Sequence, residues 1–452
     1  IGVRLVGSEM CIRDSRMIIP IFIFNKEQVG TVNRYRSDSS IQFMIESLKE
    51  LDTALRSNRS KLHLLYGDDI KVIRSIINKI EVSSIAFNRD YSPYSVRRDH
   101  LIENLCKNKD IECTIYEDYL LHPIGSLNKK NGDPYRVFTP FKNNGIKKRV
   151  QSPKYAKVRN LVSKNIPGIV SFNKVKYKKN DNVAVRGGRK CGLFMLNKAS
   201  KLTGYNKKRN ELSEQTTRLS AHIKFGTVSI RECYYKLKGI KGSSDLISQL
   251  FWREFYFYIA YYFPDVLKGQ LGKGKNANFK PFKRPVQWKW NKNHFDYWCN
   301  GDTGYPIVDA GMRELNATGY MHNRARLITS NFMNRILGMD WRKGEMYFAS
   351  KLTDYDPDVN NGNWQWVSST GTDTKPYSQR LFNPWLQSER YDSDAKYIKK
   401  WIPGLKNVPA KHIHKWYKYH CQYDLDELDY YSPVVDYKEA RAESLKMYKD
   451  AK

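Results

Sequence analysis

KLTDYDPDVNNGNWQWVSSTGTD, residues Lys351 to Asp373, sets two acids around a tyrosine (Asp354, Tyr355, Asp356). The pair Asn360 and Asn361 follows, and Trp364 and Trp366 stand two apart before a Gly/Ser/Thr-rich exit. So many groups able to donate, accept or stack in so short a space suit the wall of a ligand pocket. On composition alone the stretch serves equally as a polar turn between helices that carries two core tryptophans, and its neighbours decide between the two.

Upstream run GYPIVDAGMRELNATGYMHNRARLITSNFM (Gly304 to Met333) and MDWRKGEMYFASKL (Met339 to Leu352). Together with the first stretch they resemble the flavin-binding half of the photolyase/cryptochrome family. The resemblance spans roughly residues 17 to 405, and within the family it is closest to class I cyclobutane pyrimidine dimer photolyases. It implies an N-terminal α/β domain, a C-terminal all-helical domain holding reduced, anionic FAD, and light-driven electron transfer to a flipped dimer in UV-damaged DNA. Cryptochrome-like light sensing and six-four repair are the two other activities that the resemblance leaves open.

A chain of 452 residues with 40% hydrophobic content can bury two cores and is too long for one. No apolar run reaches the length of a membrane span: Ile18 to Phe24 is strand-sized, and Phe255 to Phe263 is a short aromatic helical segment. A soluble monomer without a membrane partner is expected. The formal charge of +32 points to a polyanionic partner, since lysines and arginines neutralise phosphates. A general drift toward lysine would also raise the charge, but the excess is regional: Lys142 to Arg209 holds about twenty basic residues against one acid, Asp181. The seven cysteines form no CxxC pair, which reads as reduced thiols in a cytoplasmic or nuclear compartment. His412, His414 and His420 lack ligand partners at metal spacing, so no metal site is expected.

Residues 1–16, IGVRLVGSEMCIRDSR, fit nothing that follows and are read as a non-native leader. The family opens with a strand and an Arg-Asp-Leu-Arg turn before the strand seen here as IIPIFIFN, so the first strand of the sheet is expected to be missing. From 17 to 133 short apolar runs alternate with helical ones: IIPIFIF, SIQFMIESLKELDTAL, KLHLLYG, DIKVIRSIINKI, SSIAFN, RRDHLIENLCKN and IECTIYE. That order predicts a parallel, Rossmann-like sheet. Such a sheet binds ligands at the carboxyl ends of its strands, where a second, antenna chromophore could sit. Its type is open, because folate-using relatives carry an Asn-Glu pair where this chain has Tyr94 and Ser95. Residues 134–196 are basic, broken by Pro140, Pro153, Pro167 and Gly187–Gly188, and are expected to wrap irregularly between the domains. Helical periodicity marks 197–425 as the catalytic domain, with 426–452 as a tail.

Thr216, Thr217, Arg218, Leu219 and Ser220 form a hydroxyl-rich turn opening a helix, which suits a pyrophosphate and equally an ordinary cap. In SQLFWREFYFYIAYYFP, spacing puts Gln249, Trp252, Arg253 and Tyr256 near one helical face, where an aromatic plane and a cation suit a flipped base; an aromatic core helix would look the same. The resemblance implies that the turn and Arg253 hold the flavin diphosphate, that Tyr205 touches flavin, and that Asp354, Tyr355, Asp356 and Arg326 lie beside its ring. Asn360 would face flavin N5; its amide brings no fixed charge and can serve several redox states. Trp364, Trp341 and Trp288 occupy the family's electron-transfer positions. Arg209, Gln249, Trp252 and Tyr256 would meet the DNA, joined by Asn323, Arg324, Trp366 and Gln387. Dimer photolyases carry Glu where this chain has Gln249, whereas six-four photolyases commonly have Gln. The paired histidines of six-four photolyases are replaced here by His322 and Asn323.

Overall fold

The computed structural model describes residues 17–153, 160–199, 201–202, 204–214, 216–268, 279–280, 282 and 284–452. The leader, 1–16, lies outside the described residues. Strands form where the short apolar runs predict them: β1 (Ile21–Asn25), β2 (His63–Gly67), β3 (Ser84–Asn88) and β4 (Glu112–Tyr116). β1 pairs in parallel with β2, Ile21 opposite His63, and β3 pairs in parallel with β4, Ser84 opposite Glu112. Among the described residues the pairs do not join into one sheet. What unites them is apolar packing, because Ile23 of β1 and Ile85 and Phe87 of β3 share a cluster with Ile102 and Leu105.

Helices α1 (Asp38–Arg56), α2 (Asp69–Ile77) and α3 (Pro93–Lys107) alternate with the strands. The Ser37 side chain accepts from the Ser40 N–H and starts α1, whose Ile41, Met44, Ile45 and Leu48 recur at helical spacing as the buried stripe.

The basic stretch expected to be irregular contains two helices, α4 (Phe138–Lys147) and α5 (Arg189–Ala199). α4 is held to the catalytic domain: Phe141 is fully buried, and a Cβ at Gly145 would stand 2.4 Å from the Phe251 ring. Burial against a partner distant in sequence forms this helix despite its weak local pattern.

The catalytic domain is helical as expected. Its elements that bear on the site are α6 (Ser220–Lys224), α7 (Ser244–Tyr262), α8 (Pro306–Thr318), α9 (Asn323–Asn331), a π-helical turn Phe332–Ile336, α10 (Trp341–Lys351) and α11 (Pro357–Val367). One core gathers around Trp298, Phe332, Trp341 and Trp364, and a second around Phe251, Phe255 and Tyr258. The C-terminal segment is no free tail. Its helix α12 (Tyr437–Ala451) buries Tyr448, whose hydroxyl lies 3.0 Å from Asn334 Oδ1 and 2.9 Å from the Ser368 carbonyl. The Arg335 guanidinium sits 3.8 Å from that ring. Among the described residues no helix is long and apolar enough to cross a membrane, and no group of His, Cys, Asp and Glu could hold a metal ion.

Candidate functional site

Asp354 and Asp356 stand two apart at the start of α11, and the chain turns them in different directions. Asp354 takes the Arg326 guanidinium, whose Nη2 reaches both carboxylate oxygens at 3.0 and 3.1 Å while Nε donates to the Met321 carbonyl. Asp356 accepts from the Tyr119 hydroxyl at 3.2 Å and lies 3.5 Å from Lys224 Nζ. Of the two acids, Asp354 alone pairs with Arg326. Lys224 is held above the usual lysine range: burial opposes its charge, but Asp356, Tyr119 and Asp90 outweigh it. Asp358, buried behind Asp356, is raised well above the usual carboxyl range by burial and by Asp356.

One turn into α11, Asn360 donates through Nδ2 to the Glu345 carbonyl at 3.0 Å and to its Oε1 at 3.2 Å. Burial pushes the Glu345 carboxyl up to about 7, against the opposing hydrogen bonds from Asn360 and Tyr35. Tyr35, from the loop before α1, also stacks on Tyr355 at 6.1 Å. Neither Glu345 nor Tyr35 carries a signal in sequence, because each acquires its role from a neighbour on another element.

The hydroxyl-rich turn faces the same region. Thr216 Oγ1 is 2.8 Å from the Tyr320 hydroxyl, the Leu219 N–H donates to Thr217 Oγ1, and Ser220 opens α6. Arg218 has φ +50°, a left-handed conformation uncommon for a long side chain and of the kind stored at functional sites. Its guanidinium lies 5.2 Å from the Tyr320 ring. Tyr205 stands in a short helix, its hydroxyl pKa raised by burial. His322 is 4% exposed, and its Nε2 has no hydrogen-bond partner. Burial pushes His322 down to about 4, with Arg324, Arg326 and Arg218 adding to the effect. Three guanidinium groups around a neutral imidazole with an unmet polar atom suit an anionic, phosphate-bearing ligand.

On α7, Gln249 Nε2 donates to the Asp245 carbonyl at 3.4 Å, and the Asp245 carboxylate lies 3.7 Å from Arg209 Nε. Trp252 is half-buried and stacks on Phe138 of α4. Arg253 is anchored in an aromatic slot and keeps its buried Nη2 without a hydrogen-bond partner. It donates to the Tyr119 carbonyl at 2.9 Å and sits between the rings of Tyr119 and Phe257, beside Asp358. Tyr256, expected at the DNA, is buried at 4% exposure and packs on Gly362 of α11. Asn323 is exposed at the first position of α9. Arg324 donates to Asn210 Oδ1 at 2.7 Å and covers the Tyr391 ring. The Arg380 guanidinium lies 4.0 Å from the Trp366 ring, and Gln387 is half-buried in the helix Pro384–Tyr391. Trp341 and Trp364 are buried in one core with Trp288 packed against it, and Trp298, which the sequence reading passed over, meets Trp364 edge-on at 6.2 Å.

In the α/β domain, the Tyr94 hydroxyl donates to Asp69 and the Ser95 hydroxyl to Asp90. Both positions of the folate pair are therefore committed to internal partners.

Residues 10–156 match DNA photolyase, and residues 246–450 match the FAD binding domain of DNA photolyase. The deoxyribodipyrimidine photo-lyase of Escherichia coli is 33% identical over 99% of this chain and 96% of its own length. The chain belongs to the DNA photolyase family. The Halobacterium salinarum deoxyribodipyrimidine photo-lyase is 31% identical over 97% of this chain and 93% of its own. In fold the chain is similar to an archaeal photolyase from Sulfolobus tokodaii with two FAD molecules, at TM-score 0.85 and 37% identity over 98% of this chain and 96% of that one. It is also similar to a Synechocystis cryptochrome, at TM-score 0.87 and 26% identity over 97% and 95%. The photolyase cofactor is FAD, and the residues present fit it: the Thr216–Ser220 turn, Arg218, Arg326 and the unmet nitrogen of His322 offer donors to an anionic dinucleotide.

Proposed function

We infer that the chain repairs UV-damaged DNA by splitting cyclobutane pyrimidine dimers in the light. The observation that carries this is its likeness to deoxyribodipyrimidine photo-lyases over nearly its whole length. The cluster of Arg218, Arg324 and Arg326 around His322 supports it, since it suits an anionic cofactor. Reduced FAD, when bound, supplies the photoexcited electron that opens the dimer ring and takes it back after cleavage. This chain's residues hold, orient and exclude water. Tyr205, Thr216, Thr217, Arg218, Leu219, Ser220, Arg326 and Asp354 hold the cofactor, and Asn360 is fixed toward it by Glu345. Trp252 offers a stacking plane to the flipped bases and Gln249 an amide to their edge. Arg209, Arg324, Trp366 and Gln387 grip the strand, and Trp288, Trp341 and Trp364 relay electrons that keep the cofactor reduced.

The position after His322 argues against the six-four lesion as substrate. The residue there, where a second histidine would be needed, is Asn323, whose amide has no proton to give as an acid. The commitments of Tyr94 and Ser95 count against a folate antenna, and the likeness to the Sulfolobus tokodaii photolyase with two FAD molecules favours one of flavin type. The enzyme works as a monomer in the compartment that holds the DNA. The test is to purify the protein, record its flavin absorbance, and compare its affinity for duplexes with a thymine dimer, a six-four lesion or no lesion. Preference for the dimer supports the proposal; equal affinity for all three, or a colourless protein, refutes it.

A further inference from the structure

We propose that Phe138 is a positioning residue for the lesion, a second aromatic layer that fixes the indole of Trp252 in the plane on which the damaged base stacks. This rests on the dimer-repair reading. Phe138 belongs to the run YRVFTPFK, which that reading does not use. Its ring centroid lies 3.6 Å from that of Trp252, with 8° between the planes. Free aromatic pairs prefer offset or edge-on arrangements at about 4.5–7 Å, so a face-to-face pair this close is set by its surroundings.

The surroundings are closely packed. Phe255 stands edge-on to both rings, 5.9 Å from each. α4 is clamped to α7 through buried Phe141 and through Gly145 against Phe251. Trp252 therefore cannot swing without displacing Phe138. Tyr256 makes a second, offset stack on the indole at 5.7 Å and 29°, and Phe138 is the closely apposed, parallel ring. One indole face is backed and the half-buried side chain keeps surface for a base. A platform held before binding loses less side-chain freedom when the base arrives, and stacking on an aromatic plane is tolerant of base identity. Lys142, 6.0 Å from the Phe138 ring, puts a cation beside the platform.

The rival placement is a plug, with Phe138 filling the place of the base until the lesion displaces it. The two differ in sign. The experiment uses the full chain with its flavin and a short labelled duplex, with or without one thymine dimer, read by fluorescence anisotropy. Phe138→Leu is expected to weaken dimer binding by about three- to tenfold, the scale of one aromatic pair, leaving flavin content and affinity for undamaged DNA unchanged. Phe138→Tyr, which restores the ring, should bind the dimer as wild type does. Unchanged or tighter dimer binding by the leucine variant overturns the proposal, as does an equal loss on both duplexes or failure of the tyrosine variant to recover. A wild type without preference for the dimer defeats the repair reading itself.

Discussion

Glu345 is the residue whose chemistry depends most on its surroundings. Its carboxyl titrates near 7 in the folded chain against 4.5 for an ordinary glutamate. Between those values the unfolded chain has released a proton that the folded chain keeps. Folded stability therefore falls as pH rises through that window. Urea midpoints taken from pH 4.5 to 7.5 should decline more steeply for wild type than for Glu345→Gln; parallel curves would contradict the burial argument. The ion pair of Arg326 and Asp354 is a second case. Arg326→Met leaves the Asp354 side chain, 8% exposed, without its cation. Breaking a fully buried pair costs about 3–5 kcal/mol, but a quarter of the Arg326 side chain meets solvent, so about 2 kcal/mol is expected by chemical denaturation, together with loss of flavin on gel filtration. Asn360, Arg326 and Arg218 were candidates from sequence alone because they stand in dense motifs. Glu345 and Tyr35 were not, because a carboxylate's partner across 15 residues and a tyrosine's across more than 300 are set by packing.

The elements follow the periodicity wherever it is strong. β1 to β4 fall on the short apolar runs, and α1 on its stripe, because burial on one side leaves its period in the residues. α4 and α12 were missed as packed elements. α4 buries Phe141 and Gly145, and α12 buries Ala440, Ser444 and Ala451 beside Tyr448, mostly small residues that carry little apolar signal in local pattern. Between elements, close approach is bought by glycine. Gly362 of α11 admits the Tyr256 ring of α7, and a Cβ there would stand 2.1 Å from it. Gly362→Ala should therefore cost about 1–3 kcal/mol and move both the Tyr256 side chain and Asn360, which shares the helix. A thermal melt with flavin bound reads this; an unshifted midpoint would mean that the two helices can part without loss.

Across the whole molecule, the charge of +32 predicts electrostatic attraction to DNA. If the basic residues neutralise phosphates, the logarithm of the DNA association constant should fall linearly with the logarithm of salt concentration, with a slope near −0.9 per phosphate contact. Damaged and undamaged duplexes should show similar slopes and different intercepts, since phosphate contacts position and base contacts specify. An affinity indifferent to salt would remove the electrostatic account. The α/β region and the largely helical FAD-binding region were legible from motif density. The junction where Trp252 meets Phe138 was not, because it joins the linker to the catalytic domain across more than a hundred residues. The most direct measurement is a light-versus-dark repair assay on short DNA carrying one thymine dimer, with the flavin reduced beforehand. The account predicts loss of the dimer in the light alone, with a six-four lesion on a parallel duplex left intact. Persistence of the dimer under illumination, from protein that holds reduced flavin and binds the lesion, would contradict it.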